Sequence, residues 1–206
     1  IQLTIDNLNS KYLPELSDEK KEKFQANLKT ILKQIQQIEN LVNEFSDFAR
    51  MPKPLIKNND LIKVLDENIN LLKKLDNSIN FNINNKTGKK VITNFDNEQF
   101  NRLFFNLIKN SIESIQEKAK KTNKLLKKID IEINQRRDYI TINLIDTGEG
   151  FKDKKTKDII RPYYTTKEKG TGLGLSIADK IINDHNGSIK FLNTNNGAKV
   201  QIILPK

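Results

Sequence analysis

Apolar residues follow two different rhythms along this chain, and the change of rhythm divides it. They recur at Phe24, Leu28, Ile31, Ile35, Ile38, Val42, Phe45 and Ala49, in alternating steps of four and three. That is a heptad seam, and it predicts one long helix in a coiled coil or bundle. A helix from Ser17 to Arg50 would run roughly 50 Å at 1.5 Å per residue. Ser17 or Asp18 can cap its start, and Pro52 with Pro54 stops it. Ile1, Ile5, Leu8 and Tyr12 repeat the spacing in a shorter segment, and the Leu13-Pro14 turn lets the two fold back as a hairpin. Leu32, Leu41 and Phe48 broaden the stripe beyond a narrow seam. The hairpin is therefore expected to pair with a second copy of itself; a clamp over the following domain is the intramolecular alternative.

Past Met51-Pro-Lys-Pro54 the periods shorten and alternate. A helix is expected over Leu61–Leu75, then strands at Ile79–Ile83 and Lys90–Asn94. Glu98–Lys118 reads as a helix whose apolar stripe is Phe100, Leu103, Phe104, Leu107, Ile108, Ile112 and Ile115. Ile129–Ile133 and Tyr139–Ile145 alternate as a hairpin. A polar stretch from residue 151 to 169 leads to Gly170-Thr-Gly-Leu-Gly-Leu175 and a helix to His185. Strands at Ser188–Leu192 and Lys199–Leu204, joined by Asn196-Gly197, close the chain. The fold class is α+β: a helical hairpin over residues 1–54, then a two-layer α/β sandwich over residues 55–206 with a mostly antiparallel sheet.

Composition narrows the classes. At 36% hydrophobic and 30% charged residues the chain reads as globular rather than disordered. No apolar run approaches the roughly 20 residues that span a bilayer. With no cysteine, disulfides and thiolate metal sites are excluded, which fits a reducing, cytoplasmic setting. The net charge of +10 invites a nucleic-acid reading, but the lysines are scattered through a Lys-, Asn- and Ile-rich composition. The densest cluster, Lys118 to Lys128, has no interleaved aromatics and reads as a solvated helix end and loop. Nucleic acid is not expected as a partner.

Three short motifs could carry chemistry. Asn106 and Asn110 lie four apart, on one face of a helix, and interrupt its apolar stripe. A carboxamide offers an oxygen to Mg²⁺ and an N–H₂ donor, and nucleotide-bound Mg²⁺ takes only one or two ligands from protein. Asp146 ends an apolar strand ahead of Gly148 and Gly150; its carboxylate can accept from an exocyclic amine where glycines let a flat ring approach. Gly170, Gly172 and Gly174 precede a helix, whose first turn offers unpaired N–H groups and a positive dipole end to phosphate oxygens. Each motif singly has a structural reading as turn or stripe border; the three in order are far more specific.

Together they resemble the catalytic domain of sensor histidine kinases, within the wider group that includes gyrase-type ATPases, Hsp90 and MutL. Leu107-Ile-Lys-Asn110-Ser-Ile-Glu-Ser is similar to the N box of that family, Asp146-Thr-Gly-Glu-Gly150 to its G1 box and Gly170–Leu175 to its G2 box. Phe45–Pro54 and Arg161-Pro-Tyr-Tyr-Thr-Thr-Lys-Glu-Lys-Gly170 resemble its NtrY-like nitrogen-regulation branch. The resemblance implies ATP and Mg²⁺ as cofactors. Asn110 would ligand the metal, with Asn106 and Lys109 beside it, and Asp146 with Gly148 and Gly150 would take the adenine. Gly170, Thr171, Gly172, Leu173, Gly174 and Leu175 would hold phosphates. Residues 151–169 would form a flexible lid, with Thr166 and Lys167 touching phosphates.

Gyrase-like members carry a water-activating glutamate four residues before the metal asparagine; Asn106 stands there and is a poor base. The implied reaction is phosphoryl transfer to a histidine and onward to a response-regulator receiver domain of the NtrX-like kind. A gyrase-, Hsp90- or MutL-like ATPase is the enzymatic alternative, and a basic helical dimer binding an acidic partner or nucleic acid the non-enzymatic one. The sole histidine, His185, lies where the family often has one without a catalytic role, and Ile1-Gln-Leu-Thr-Ile resembles the sequence just after the acceptor motif. The chain is thus expected to begin downstream of its acceptor, with homodimerisation through the hairpin and inner-membrane anchoring only through missing N-terminal regions. Two positions depart from the family pattern: Ile159-Ile-Arg-Pro162 lacks the lid phenylalanine, and Ala198 replaces a small hydroxyl residue.

Overall fold

The computed structural model describes residues 2–86, 88, 90–122, 124–151, 156–165, 167 and 170–206. Two compact units separate at Met51/Pro52.

In the first unit, α1 (Gln2–Tyr12) and α2 (Asp18–Ala49) are joined by a 3-10 turn at Leu13–Glu15 and pack as a hairpin. Ser17 takes the N-cap position of α2 without a side-chain cap bond; the carbonyl of Ser17 accepts from Lys20 and Lys21 instead. Ile5 and Leu28 are buried, whereas Ile31, Ile38, Leu41 and Val42 along the α2 stripe stay exposed in the single chain.

The second unit is α+β. A five-stranded sheet runs in the order β2 (Asn80–Asn85), β4 (Lys128–Gln135), β5 (Tyr139–Asp146), β7 (Ala198–Pro205), β6 (Ser188–Asn193). Every neighbouring pair is antiparallel except β2 with β4. Strand alternation sends Ile129, Ile131, Ile133, Ile140, Ile142, Leu144, Val200, Ile202 and Leu204 into the core. On the polar side, Glu132, Asn143 and Gln201 stand in register across three strands, and their side chains form a hydrogen-bonded row.

Three helices supply the second layer: α3 (Leu61–Leu72), α4 (Asn97–Lys121) and α6 (Gly174–Asp184), with α4 packed against both of the others. All seven apolar positions predicted for α4 are at most 2% exposed, each contributing roughly 1.5–3 kcal/mol of gross burial. Asp96 caps α4 by accepting from Gln99 N–H, and it also accepts from Leu55 N–H just after the Pro52–Pro54 boundary. The backbone N–H of Asp96 donates to Nε2 of buried His185 at 3.0 Å, and Nδ1 of the same ring contacts the Ile181 carbonyl at 2.7 Å. Nδ1 therefore carries the proton, and the ring ties the start of α4 to the end of α6, in line with the structural role read for it.

Some predicted boundaries change. The Leu61–Leu75 helix is α-helical only to Leu72 and ends as a 3-10 turn. The expected Lys90–Asn94 strand is β3 (Ile92–Phe95), and it leaves the main sheet to pair with β1 (Lys57–Asp60), a strand with no apolar residue to announce it. The Lys118–Lys128 cluster is only partly solvated: Lys121 pairs with Glu149, Lys127 with Asp76, and Lys118 reaches backbone carbonyls described below.

Candidate functional site

The three motifs converge on α4. One residue past Asn110, Ser111 Oγ donates to Asp146 Oδ2 at 2.9 Å, which joins the helix to the end of β5. Ser114, a turn further on, accepts from Glu149 N–H at 2.9 Å. On the other flank, the glycine-rich turn starts α6 beside the asparagines. A Cβ built on Gly174 would sit 3.6 Å from Asn110 Nδ2 and 3.8 Å from Asn106 Cγ. Helix α6 thus begins against the asparagine face, and its N-cap residue Leu173 makes no side-chain capping bond. First-turn N–H groups left uncapped at such a helix start suit an anion.

Asp146 is 4% exposed, and burial pushes its carboxyl above the usual carboxylate range. The Gly148 N–H (2.8 Å), the Ser111 hydroxyl, the Ala198 N–H (3.3 Å) and the Lys118 charge act in the opposite direction. Oδ1 accepts from two backbone donors while Oδ2 accepts from Ser111 alone among the described residues. One lone pair of a buried carboxylate is left for a ligand's amine.

Glycine is demanded here by space. At Gly148 a Cβ would lie 2.2 Å from Ser114 Oγ; at Gly197 it would lie 2.2 Å from the Asp146 carbonyl oxygen. Gly172 has φ +73° and lies against the backbone of Tyr163, with 2.5 Å from a would-be Cβ to the Tyr163 carbonyl carbon. That contact seats the residues before the glycine-rich turn on its middle glycine. Gly150 has φ +77°, and Asn193 Oδ1 accepts from Phe151 N–H next to it.

The asparagine pair suits the phosphates of a Mg²⁺-bound nucleotide, its N–H₂ groups meeting phosphate oxygens and its carboxamide oxygens alone being suited to the metal. Asn106 Nδ2 is buried and has no hydrogen-bond partner among the described residues, a cost of about 1–3 kcal/mol unless a ligand meets it. Carboxamide oxygens suit a hard cation. No group of three His, Cys, Asp or Glu side chains among the described residues could hold a metal, so a bound cation would need ligands from elsewhere, as phosphates and water supply.

The remaining predicted residues are placed unevenly. Thr171 Oγ1 accepts from Leu173 N–H at 3.4 Å, and Gly170 and Leu175 are half-buried within the turn. Lys109 is exposed, its ammonium 5.9 Å from the centre of the Phe105 ring. Lys167 is half-buried and falls outside the α/β unit. Thr166 lies outside the described residues, as do 152–155, 168 and 169; a helical turn, α5 (Thr156–Ile159), is the one regular element described between 151 and 169. Sequence reasoning missed Ser111, Ser114 and Lys118. Their spacing of three and four along α4 placed them on one helical face, but only the loops they meet give that face a purpose.

The family described as Histidine kinase-, DNA gyrase B-, and HSP90-like ATPase matches residues 95–206, from the end of β3 to the last residue. This chain belongs to that family. It is 30% identical over 191 residues to the nitrogen regulation protein NtrY of Azorhizobium caulinodans, covering 93% of this chain and 24% of that protein. The chain therefore spans about a quarter of that relative's length. Among solved structures, the catalytic domain of histidine kinase ThkA aligns with a TM-score of 0.63 at 25% identity, covering 73% of this chain and 95% of that one. A crystal structure of ThkA in complex with the response regulator protein TrrA shares the fold with a TM-score of 0.73 at 22% identity, over 98% of this chain and 57% of that one. Membership makes residues 95–206 an ATPase-type nucleotide-binding domain of the kind shared by histidine kinases, DNA gyrase B and HSP90.

Proposed function

We propose that the chain is the ATP-binding kinase core of a two-component sensor histidine kinase, organised as a helical hairpin (1–54) and a catalytic domain (55–206). The observation that carries this reading is the meeting of asparagine pair, buried carboxylate and glycine-led helix on α4. Asp146 accepts the adenine amine; Gly148 and Gly150 leave room for the ring. The N–H groups at the start of α6, with Gly170, Thr171, Gly172, Leu173, Gly174 and Leu175 around them, hold phosphates. Asn110 would be the protein ligand for Mg²⁺, and Asn106, whose N–H₂ has no partner among the described residues, would donate to phosphate oxygens. Bound Mg²⁺ supplies charge neutralisation to the phosphates. Thr166 and Lys167 are carried into this reading by the family resemblance alone, since Thr166 lies outside the described residues and Lys167 outside the α/β unit.

The γ-phosphate leaves its bridging oxygen on ADP and bonds to an imidazole nitrogen, then passes to a receiver aspartate. His185 is not that imidazole, because it is buried with both ring nitrogens engaged. Asn106 disfavours the gyrase-like alternative, since a carboxamide cannot take a proton from water near neutral pH. A response regulator, of the NtrX-like kind, is the partner this reading implies; the ThkA–TrrA complex supports a regulator as the class. The exposed apolar residues of α2 support a homodimer through the hairpin. No helix among the described residues is long and apolar enough to cross a membrane, so in this reading any anchor belongs to other sequence.

The test is labelling with γ-phosphate-labelled ATP in the presence of an acceptor-bearing hairpin fragment. Acid-labile label on the fragment is expected. Label on this chain alone, or brisk release of inorganic phosphate, contradicts the proposal.

A further inference from the structure

Lys118 was set apart by the sequence only as the first member of a lysine cluster, yet its ammonium is committed. Nζ donates to the carbonyl of Gly148 at 2.9 Å and to the carbonyl of Asn196 at 2.5 Å. Those two carbonyls belong to the two loops whose N–H groups, at Gly148 and Ala198, both donate to Asp146 Oδ1. The loops themselves are in contact with no room to spare, since a Cβ on Gly197 would lie 2.2 Å from the Asp146 carbonyl oxygen and 2.8 Å from Gly148 N. Lys118 also completes a helical stripe with Ser111 and Ser114, whose hydroxyls meet Asp146 Oδ2 and Glu149 N–H.

We propose that Lys118 is a positioning residue for nucleobase recognition: it clamps the Gly148 loop to the β6–β7 turn and so holds the Asp146 carboxylate in the orientation that reads a 6-amino purine. The lysine touches no ligand; it acts through the two backbone donors on Oδ1. A charged donor suits the task, because charge-assisted bonds to carbonyls are stronger than neutral ones, and its positive charge also favours the ionised form of Asp146. The ammonium is only half-buried at the rim of a cavity of about 320 Å³ lined by Gly148, Asn193 and Gly197, so a substitution there can be accommodated without disturbing the core.

The inference rests on the nucleotide reading above, and the experiment separates the two. Dissociation constants for ATP and for inosine triphosphate, which carries a 6-oxo group, are measured on the parent, Lys118→Met and Lys118→Arg. The amide signals of Gly148 and Ala198 are followed by NMR in the nucleotide-free proteins. Lys118→Met is expected to shift both amide signals and to weaken ATP about tenfold, with little change for inosine triphosphate; Lys118→Arg, which can donate to both carbonyls, restores the preference. Equal weakening of both nucleotides, or an unchanged ratio with unmoved amides, overturns the clamp. A parent that binds neither nucleotide overturns the nucleotide reading and this role with it. In that case unmoved amides in Lys118→Met would dismiss the clamp as a structural feature too.

Discussion

Asp146→Asn should convert a site that prefers a 6-amino purine into one that prefers a 6-oxo purine. Oδ1 is held by the Gly148 and Ala198 N–H groups, so the asparagine carbonyl must take that place; an N–H₂ there would face two donors. Nδ2 then replaces Oδ2 beside Ser111, whose hydroxyl can turn to accept. The atom offered to the base changes from acceptor to donor. Losing a hydrogen bond to a charged group is worth about 1.5–3 kcal/mol, which is about 10- to 150-fold in the dissociation constant. ATP binding should weaken by that factor while inosine triphosphate gains. Stability should move the other way. Burial raises the Asp146 carboxyl above its ordinary value of 3.8, so its contribution to stability is fully present below that pH and is lost as pH rises through the folded-state value. At neutral pH the buried charge is a cost that asparagine removes, and the nucleotide-free variant should melt no lower than the parent. Calorimetric titration with both nucleotides, beside thermal melts from pH 4 to 8, measures this. Unchanged ATP affinity in the variant would refute the assignment of Asp146.

Asn106→Leu removes a buried N–H₂ that has no partner among the described residues; the nucleotide-free protein should gain up to about 1–2 kcal/mol in denaturant titration, with weaker ATP binding. Gly197→Ala forces a methyl into the Asp146 and Gly148 backbone and should cost about 1–3 kcal/mol, read by thermal melting. Asp76 is held down to about 2, chiefly by its bond from the Ser78 hydroxyl, with Lys127 adding a smaller effect. Its stabilisation is present above pH 3.8 and lost as pH falls through about 2, so Asp76→Asn should destabilise at neutral pH and match the parent at the acid end of a pH series.

The parts of the fold written as periodicity were legible. The α4 stripe and the β4, β5 and β7 alternation bury the same side chains that the spacing selects, because water exclusion acts on those positions directly. Strand β1, Lys-Asn-Asn-Asp, carries no such signal; it exists because β3 offers it a partner. The site divides in the same way. Asn106, Asn110, Asp146 and Gly174 could be singled out as candidates from residue type and spacing, and the structure brings them together around α4. Ser111, Ser114 and Lys118 could not, because their role is set by loops that follow them by some 30 to 80 residues in the chain. A lysine in a lysine-rich sequence gives no hint of which carbonyl it will find.

The most direct measurement is calorimetric titration of the parent chain with a non-hydrolysable ATP analogue, with and without Mg²⁺. Saturable one-to-one binding that weakens when Mg²⁺ is withheld is the predicted result. No heat of binding from a chain that circular dichroism shows to be folded would contradict the account.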